Sequence, residues 1–279
     1  MKIIDTYTEI VALFDRMGDT FDLTLWESYI ASISDELVNK LKEDSSGYDF
    51  QRQILPVINQ AMKEREKLKT AHTSFHASIK DLENRLEKIT GTKMQVDILF
   101  YLGLCNGAGW ATKLENKPAV LLGVEKIIEL DWYSEKAMAA LIYHELGHVW
   151  HDSMGYLHQK TSSTREKYIL QLYQEGIAMY FEQLVLNDLT YYHQRKGDWA
   201  DWCHANKHEL NKEYLELLKA NESAQDFFGD WCAYKGYSDV GYFIGCEFIK
   251  HLAEKLSLRE LATLDLNTVY KEFSEYALQ

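Results

Sequence analysis

The sequence predicts a mainly α protein with a small β-sheet, an α+β fold, and three observations carry that prediction. Only two prolines, Pro56 and Pro118, stand in 279 residues rich in Glu, Lys, Leu and Ala, so little interrupts helix propagation. Apolar residues recur at helical spacing through the N-terminal third. One segment, 94–104, alternates instead, with Val96, Ile98, Phe100 and Leu102 sharing one face at the two-residue period of a strand. With 46% hydrophobic residues the chain can bury a real core, as one large domain or two modest ones.

Taken in order, Ile10, Leu13 and Phe14 mark a first helix, Leu25, Tyr29, Ile33 and Leu37 a second stretch, and Leu82, Leu86 and Ile89 a later one. Asp44-Ser45-Ser46-Gly47 breaks the run, and Pro56 starts or kinks the helix that follows. Residues 1–93 therefore read as a helical N-terminal region packed on the remainder, 94–279, with a separate N-terminal bundle as the alternative. The strand at 94–104 leads through a glycine-bearing turn, Cys105-Asn106-Gly107-Ala108-Gly109-Trp110, to a second apolar segment at 119–127, read as another strand. If that second strand lies at a sheet edge, its free backbone groups can pair with an extended peptide. Residues 134–152 and 164–187 are two long helices, Ser134 being an N-cap for the first, joined by a polar loop at 155–163. An amphipathic segment at 198–219, a helix at 240–256 and short capping helices at 258–278 complete the chain.

The first long helix carries His144-Glu145-Leu146-Gly147-His148 inside an apolar run. Residues four apart share a helix face, so both imidazoles reach one metal ion from one rigid element. Glu145, about 100° further round the helix than His144, stands where a general base would hold a water. The flanks Ala137–Tyr143 and Val149-Trp150 make the helix apolar on most sides, where unpaired polar groups are costly and a cation would satisfy them. A catalytic zinc site needs a third protein ligand and an open fourth position. Glu175, on the second long helix beside the small residues Gly176 and Ala178, is that third ligand, with 26 residues between it and His148 to allow an antiparallel return. The expected cofactor is Zn2+, though the same ligands accept other divalent ions.

HExxH followed by Glu175-Gly176-Ile177-Ala178-Met179-Tyr180 resembles the gluzincin zinc metallopeptidases. The chain is more closely similar to a predicted Zn-dependent protease family whose members are otherwise a domain of unknown function. Three segments carry the similarity: Gly107–Ala111 with Ala119–Glu125, the two ligand helices, and Gly241–Gly245, together roughly residues 95–255. The resemblance implies a zincin-like metallopeptidase core in 94–279, with His144, His148 and Glu175 as ligands, Glu145 as base and a substrate-binding strand ahead of the motif. The 26-residue gap is longer than in thermolysin-like and many aminopeptidase relatives, so their substrate pockets are not carried over. The metzincin pattern HExxHxxGxxH fails, because His151 stands in place of its Gly and Met154 in place of its third His.

Tyr242, in the glycine-flanked segment 236–245, is the expected oxyanion donor, by its match to the family's Gly-Tyr segment, with Tyr237 in reserve. His151 reads as a solvent-facing or outer residue; Glu182 and Asp239, alternatives as carboxylate partners of a metal-bound histidine, read as ordinary surface charges, and Trp110 and Trp150, alternatives as pocket lining, as plain core. The expected function is a zinc-dependent peptidase acting on peptide or protein substrates, exo- or endopeptidase. The alternative is a zinc-binding regulatory or interaction protein with little turnover, against which the intact Glu145 argues. A net charge of −13 argues against nucleic acid or an anionic membrane as partner. No apolar stretch approaches the roughly 18 residues of a membrane span, and the N-terminus lacks the apolar core of a secretory signal, so a cytoplasmic setting is expected. Cys105, Cys203, Cys232 and Cys246 show no CxxC spacing and call for no disulfide framework. Oligomeric state is open.

Overall fold

Four short strands and a series of helices form from this sequence in a computed structural model that describes residues 1–229 and 231–279, a mainly α architecture with one small sheet. Packing divides the chain into Met1–Glu145 and Leu146–Gln279. The division falls between adjacent residues of a single continuous helix, Glu135–Ser153.

The first unit opens with strand β1 (Lys2–Asp5), too short for an alternation pattern to reveal it. Helices α1 (Tyr7–Met17), α2 (Leu23–Ala31) and α3 (Asp35–Ser45) follow. A π-helical turn at Phe50–Ile54 then runs directly into α4 (Leu55–Lys63), where Pro56 occupies the first turn, in which its missing N–H costs no hydrogen bond. Helices α5 (Arg65–Ile79) and α6 (Leu82–Thr90) lead to β2 (Asp97–Tyr101), β3 (Gly109–Leu114), β4 (Lys117–Gly123) and α7 (Val124–Glu129). The sheet order is β1-β2-β4-β3, with β1, β2 and β4 parallel and β3 antiparallel to β4. Residues 98–101 of β2 are buried without alternation, as expected of an interior parallel strand covered on both faces. The N-terminal residues are integral to this unit. They supply β1, α1 packs on β2, and α4 and α5 pack on α7. Fully buried Trp26 donates its indole N–H to the Leu102 carbonyl at 2.9 Å, tying α2 to the end of β2.

The strand foreseen at 119–127 ends at Gly123, because Val124–Glu129 turns into α7; a short apolar run fits either a strand or a buried helix. That strand is also interior, between β2 and β3, so the edge belongs to β3, whose first residues Gly109 and Trp110 had been assigned to a turn.

The second unit contains α9 (Thr164–Leu186), α10 (Trp199–Ala205), α11 (Lys207–Ala220), α12 (Val240–Ala253), α13 (Leu258–Leu261) and α14 (Leu266–Tyr276). Ser163 caps α9 by accepting the Glu166 N–H at 3.2 Å, and Asn187 ends it in the left-handed conformation that asparagine tolerates. The segment foreseen as one amphipathic stretch at 198–219 is two helices that meet at Asn206. α9 packs most extensively on α12, and Gly176 makes that possible. A Cβ there would lie 2.5 Å from the Gly245 carbonyl oxygen, while one on Gly245 would lie 2.6 Å from that of Leu172. α11 and α14 also pack on α9, and Tyr173 in its middle donates its hydroxyl to the Leu261 carbonyl at 2.5 Å. All four cysteines are free, three of them buried. Among the described residues no helix is long and apolar enough to cross a membrane.

Candidate metal centre

The helix Glu135–Ser153, α8, is held by apolar residues on most of its circumference: Met138, Ala140, Leu141, Ile142, Tyr143, Leu146 and Trp150 are all buried. Burial of each large apolar side chain is worth roughly 1.5–3 kcal/mol, which outweighs the cost of carrying two histidines inward. Ser134 stands before its first turn, its carbonyl accepting the Met138 N–H at 2.9 Å and its hydroxyl the Ala137 N–H at 3.4 Å. On this one helix His144 is 3% exposed and His148 partly buried a turn later.

α9 brings the third group. Gly147, between the two histidines' turns, sits against α9 so closely that an added Cβ would lie 2.9 Å from Ala178 Cα. Trp150 stacks on Phe181 at 5.6 Å beside that contact. The close approach lets Glu175 Oε2 reach 3.2 Å from His148 Nε2. Ligand atoms of His144, His148 and Glu175 all lie within 4.8 Å of one another. Two donors bound about 2.0–2.1 Å from a tetrahedral cation stand about 3.3 Å apart, so the His148–Glu175 pair already has that separation. Two imidazoles and one carboxylate, buried or half-buried, suit a transition-metal dication such as Zn2+.

Glu145 faces a different element. Its Oε2 accepts the Ala111 backbone N–H at 2.8 Å, and Gly109 packs against the same carboxylate, where a Cβ would be 2.6 Å from both Cγ and Oε1. The register explains why that N–H is available. Gly123 N–H bonds the Ala108 carbonyl, and Ala108 and Gly123 are opposed in the β3–β4 register, so residues 108, 110, 112 and 114 face β4 while 109, 111 and 113 direct their backbone groups to the outer edge. Pro118, lacking an N–H, lies opposite Lys113 at one of the positions where none is needed. The loop that feeds β3 is pinned by fully buried Glu125, which accepts the Gly103 N–H at 2.8 Å and the Cys105 N–H at 3.0 Å. Burial, only partly offset by those N–H donors and by Lys126, pushes the Glu125 carboxyl up to about 7.

A second buried group, not foreseen as a unit, adjoins the first histidine. His193 Nδ1 lies 2.7 Å from Glu182 Oε2, both are essentially inaccessible, and their ligand atoms lie within 4.8 Å of one on His144. His144, Glu182 and His193 thus form a second buried group of atoms of metal-ligating type. Glu182 was thus misread as a surface charge. So was Asp239, buried and accepting the Gly229 N–H at 2.9 Å. His193 follows a break in helical pattern and carried no sequence signal.

His151 is not solvent-facing. It is fully buried, its ring edge-on to Tyr173 at 5.1 Å, and burial with the neighbouring His148 holds its pKa down at about 3. Tyr242 lies on α12, three residues before Gly245, with its ring 5.7 Å from that of Phe228. Tyr237, the reserve, donates to Asp198 Oδ2 at 3.1 Å and stacks on Trp202 at 4.1 Å. Comparison of the chain with protein-family models, with curated proteins and with solved structures found no match.

Proposed function

We propose that the protein is a zinc-dependent peptidase hydrolysing peptide bonds in peptide or protein substrates. The observation that supports this most is the convergence of His144, His148 and Glu175 with a fourth group, Glu145, on the same helix but turned to the edge strand β3. A structural zinc site closes its coordination with four protein ligands and has no use for an adjacent carboxylate that is not a ligand. In this reading His144, His148 and Glu175 would hold the ion, which when bound would supply Lewis acidity toward a carbonyl and toward water.

Glu145 is the general base and then the acid. Its carboxylate takes a proton from water and delivers it to the leaving amine. The Ala111 N–H fixes where that carboxylate points, and Gly109 leaves room for it. Tyr242 is the proposed hydroxyl donor to the developing oxyanion. The outward-facing backbone of β3 at Gly109, beside the Ala111 N–H that Glu145 occupies, supports an extended peptide docking at that end of the edge. The reading includes a cytoplasmic setting, consistent with four free thiols.

The test is Glu145→Gln in the full chain, read by metal content and by digestion of a peptide library. Hydrolysis falls to background and the ion is retained if the reading holds. Loss of the ion in this variant, or persistent hydrolysis, overturns the assignment of Glu145.

A further inference from the structure

The first unit carries a second convergence of metal-ligating atoms, independent of α8 and α9. His72 and His76 stand four residues apart on α5, and Asp5 ends β1. His72 Nε2 and His76 Nε2 each lie 2.8 Å from the same carboxylate oxygen, Asp5 Oδ2, and 3.1 Å from each other. We propose that this triad binds a transition-metal dication, Zn2+ foremost, which fastens the end of β1 to α5.

Three features support a site rather than a chance cluster. First, the groups are oriented from behind. The other oxygen of Asp5 accepts the Tyr7 N–H at 3.0 Å, which turns Oδ2 toward the histidines. Next door, Thr6 donates its hydroxyl to the Phe100 carbonyl at 2.8 Å and its N–H to the same oxygen, fixing the β1–α1 corner. The His72 ring is stacked on Tyr7 at 4.0 Å, 9° from parallel, and lies 5.9 Å from Phe100.

Second, protons alone satisfy the triad poorly. A neutral imidazole has one N–H. If both Nε2 atoms donate to Oδ2, two N–H dipoles lie side by side across a 3.1 Å contact with no proton between them. If one is unprotonated, one of the two contacts to Oδ2 becomes a lone pair facing a lone pair. A cation removes the conflict, since all three atoms then present lone pairs to it. Third, the spacing is right. Ligands about 2.0–2.1 Å from a tetrahedral ion are separated by about 3.3 Å, so the triad needs to open by only a few tenths of an ångström, and the ring of His76 is half exposed and free to give. That exposure also leaves a coordination position for water. Two imidazoles with one carboxylate select zinc-like ions over Mg2+ and Ca2+, which prefer all-oxygen cages.

The experiment is a Zn2+ titration of the metal-stripped full chain against a chromophoric chelator, in wild type, in His72→Ala/His76→Ala, and in His148→Ala/Glu175→Ala. The wild type takes up one more equivalent than His72→Ala/His76→Ala. The His148→Ala/Glu175→Ala protein keeps an equivalent that disappears when His76→Gln is added. That second arm separates this site from the one on α8 and α9, whichever of them fails. Equal uptake by wild type and His72→Ala/His76→Ala overturns the proposal and leaves a hydrogen-bonded triad only. Should the double variant not fold, His76→Gln alone at its exposed position serves: the affinity of one equivalent drops at least about tenfold, or the site does not exist.

Discussion

Replacing Gly176 by alanine tests the contact that sets α9 against α12. The new Cβ would meet Gly245 O at 2.5 Å, Gly245 C at 2.7 Å and Ile249 Cγ1 at 2.9 Å. The first two are backbone atoms with no rotamer to change, so the two helices themselves must part by about 0.9 Å to restore a normal contact near 3.4 Å. Overpacking of this kind costs roughly 1–3 kcal/mol, and a backbone obstacle places it at the upper end, about 3 kcal/mol. At roughly 2–4 °C per kcal/mol for a chain of this order of size, the thermal midpoint falls by about 6–12 °C. Urea unfolding at constant slope is the measurement. Gly245→Ala meets Leu172 O at 2.6 Å and relies on the same separation for relief, so the double variant loses less than the sum of the two singles. A Gly176→Ala protein within about 0.5 kcal/mol of wild type, or strict additivity, refutes the interlock.

The buried Glu125 predicts a pH dependence. Its carboxyl is raised from 4.5 to about 7, so its contribution to stability is fully present below pH 4.5 and is lost as pH rises through 7. Each tenfold change in proton affinity is worth about 1.4 kcal/mol, giving a loss of about 3 kcal/mol across that window relative to Glu125→Gln; a pH-independent difference between the two proteins contradicts it. Gly109→Ala drives a methyl into the Glu145 carboxylate and breaks its bond to Ala111, so peptide turnover drops about tenfold or more at unchanged zinc content, and an unaltered rate dismisses the β3 contact as a determinant. Tyr242→Phe lowers turnover by up to about a hundredfold with zinc retained if its hydroxyl serves the oxyanion, and full activity removes Tyr242 from the site.

Much of this molecule is readable from local pattern, and the parts that are not share a cause. α8 and α9 were expected at 134–152 and 164–187 and run 135–153 and 164–186, because long amphipathic or apolar segments with caps are the strongest local signals. The two histidines and Glu175 meet because the glycine and alanine beside them permit it, which the sequence also displays. β1 escaped notice because four residues, only half of them apolar, make no period. β3 escaped because Gly109-Trp110-Ala111-Thr112-Lys113-Leu114 is half-buried and begins at a glycine that also suits a turn. His193 and Asp5 could not be assigned, since each reaches its partners through tertiary contact alone. His72 and His76 show the same spacing of four as His144 and His148, but without an intervening glutamate or an apolar flank the pair carries no comparable signal.

An open sheet edge invites pairing with another copy of the chain, and β3 is such an edge. Here side chains already occupy part of it: Glu145 takes the Ala111 N–H, and Lys40 donates its ammonium to the Lys113 carbonyl at 3.3 Å. Glu145 therefore covers a backbone donor that an added strand would otherwise use. Truncating it to alanine would uncover the strand, whereas glutamine keeps an oxygen there. A Glu145→Ala protein is therefore expected to pair edge to edge more readily than Glu145→Gln, a difference that sedimentation of the two variants reads directly.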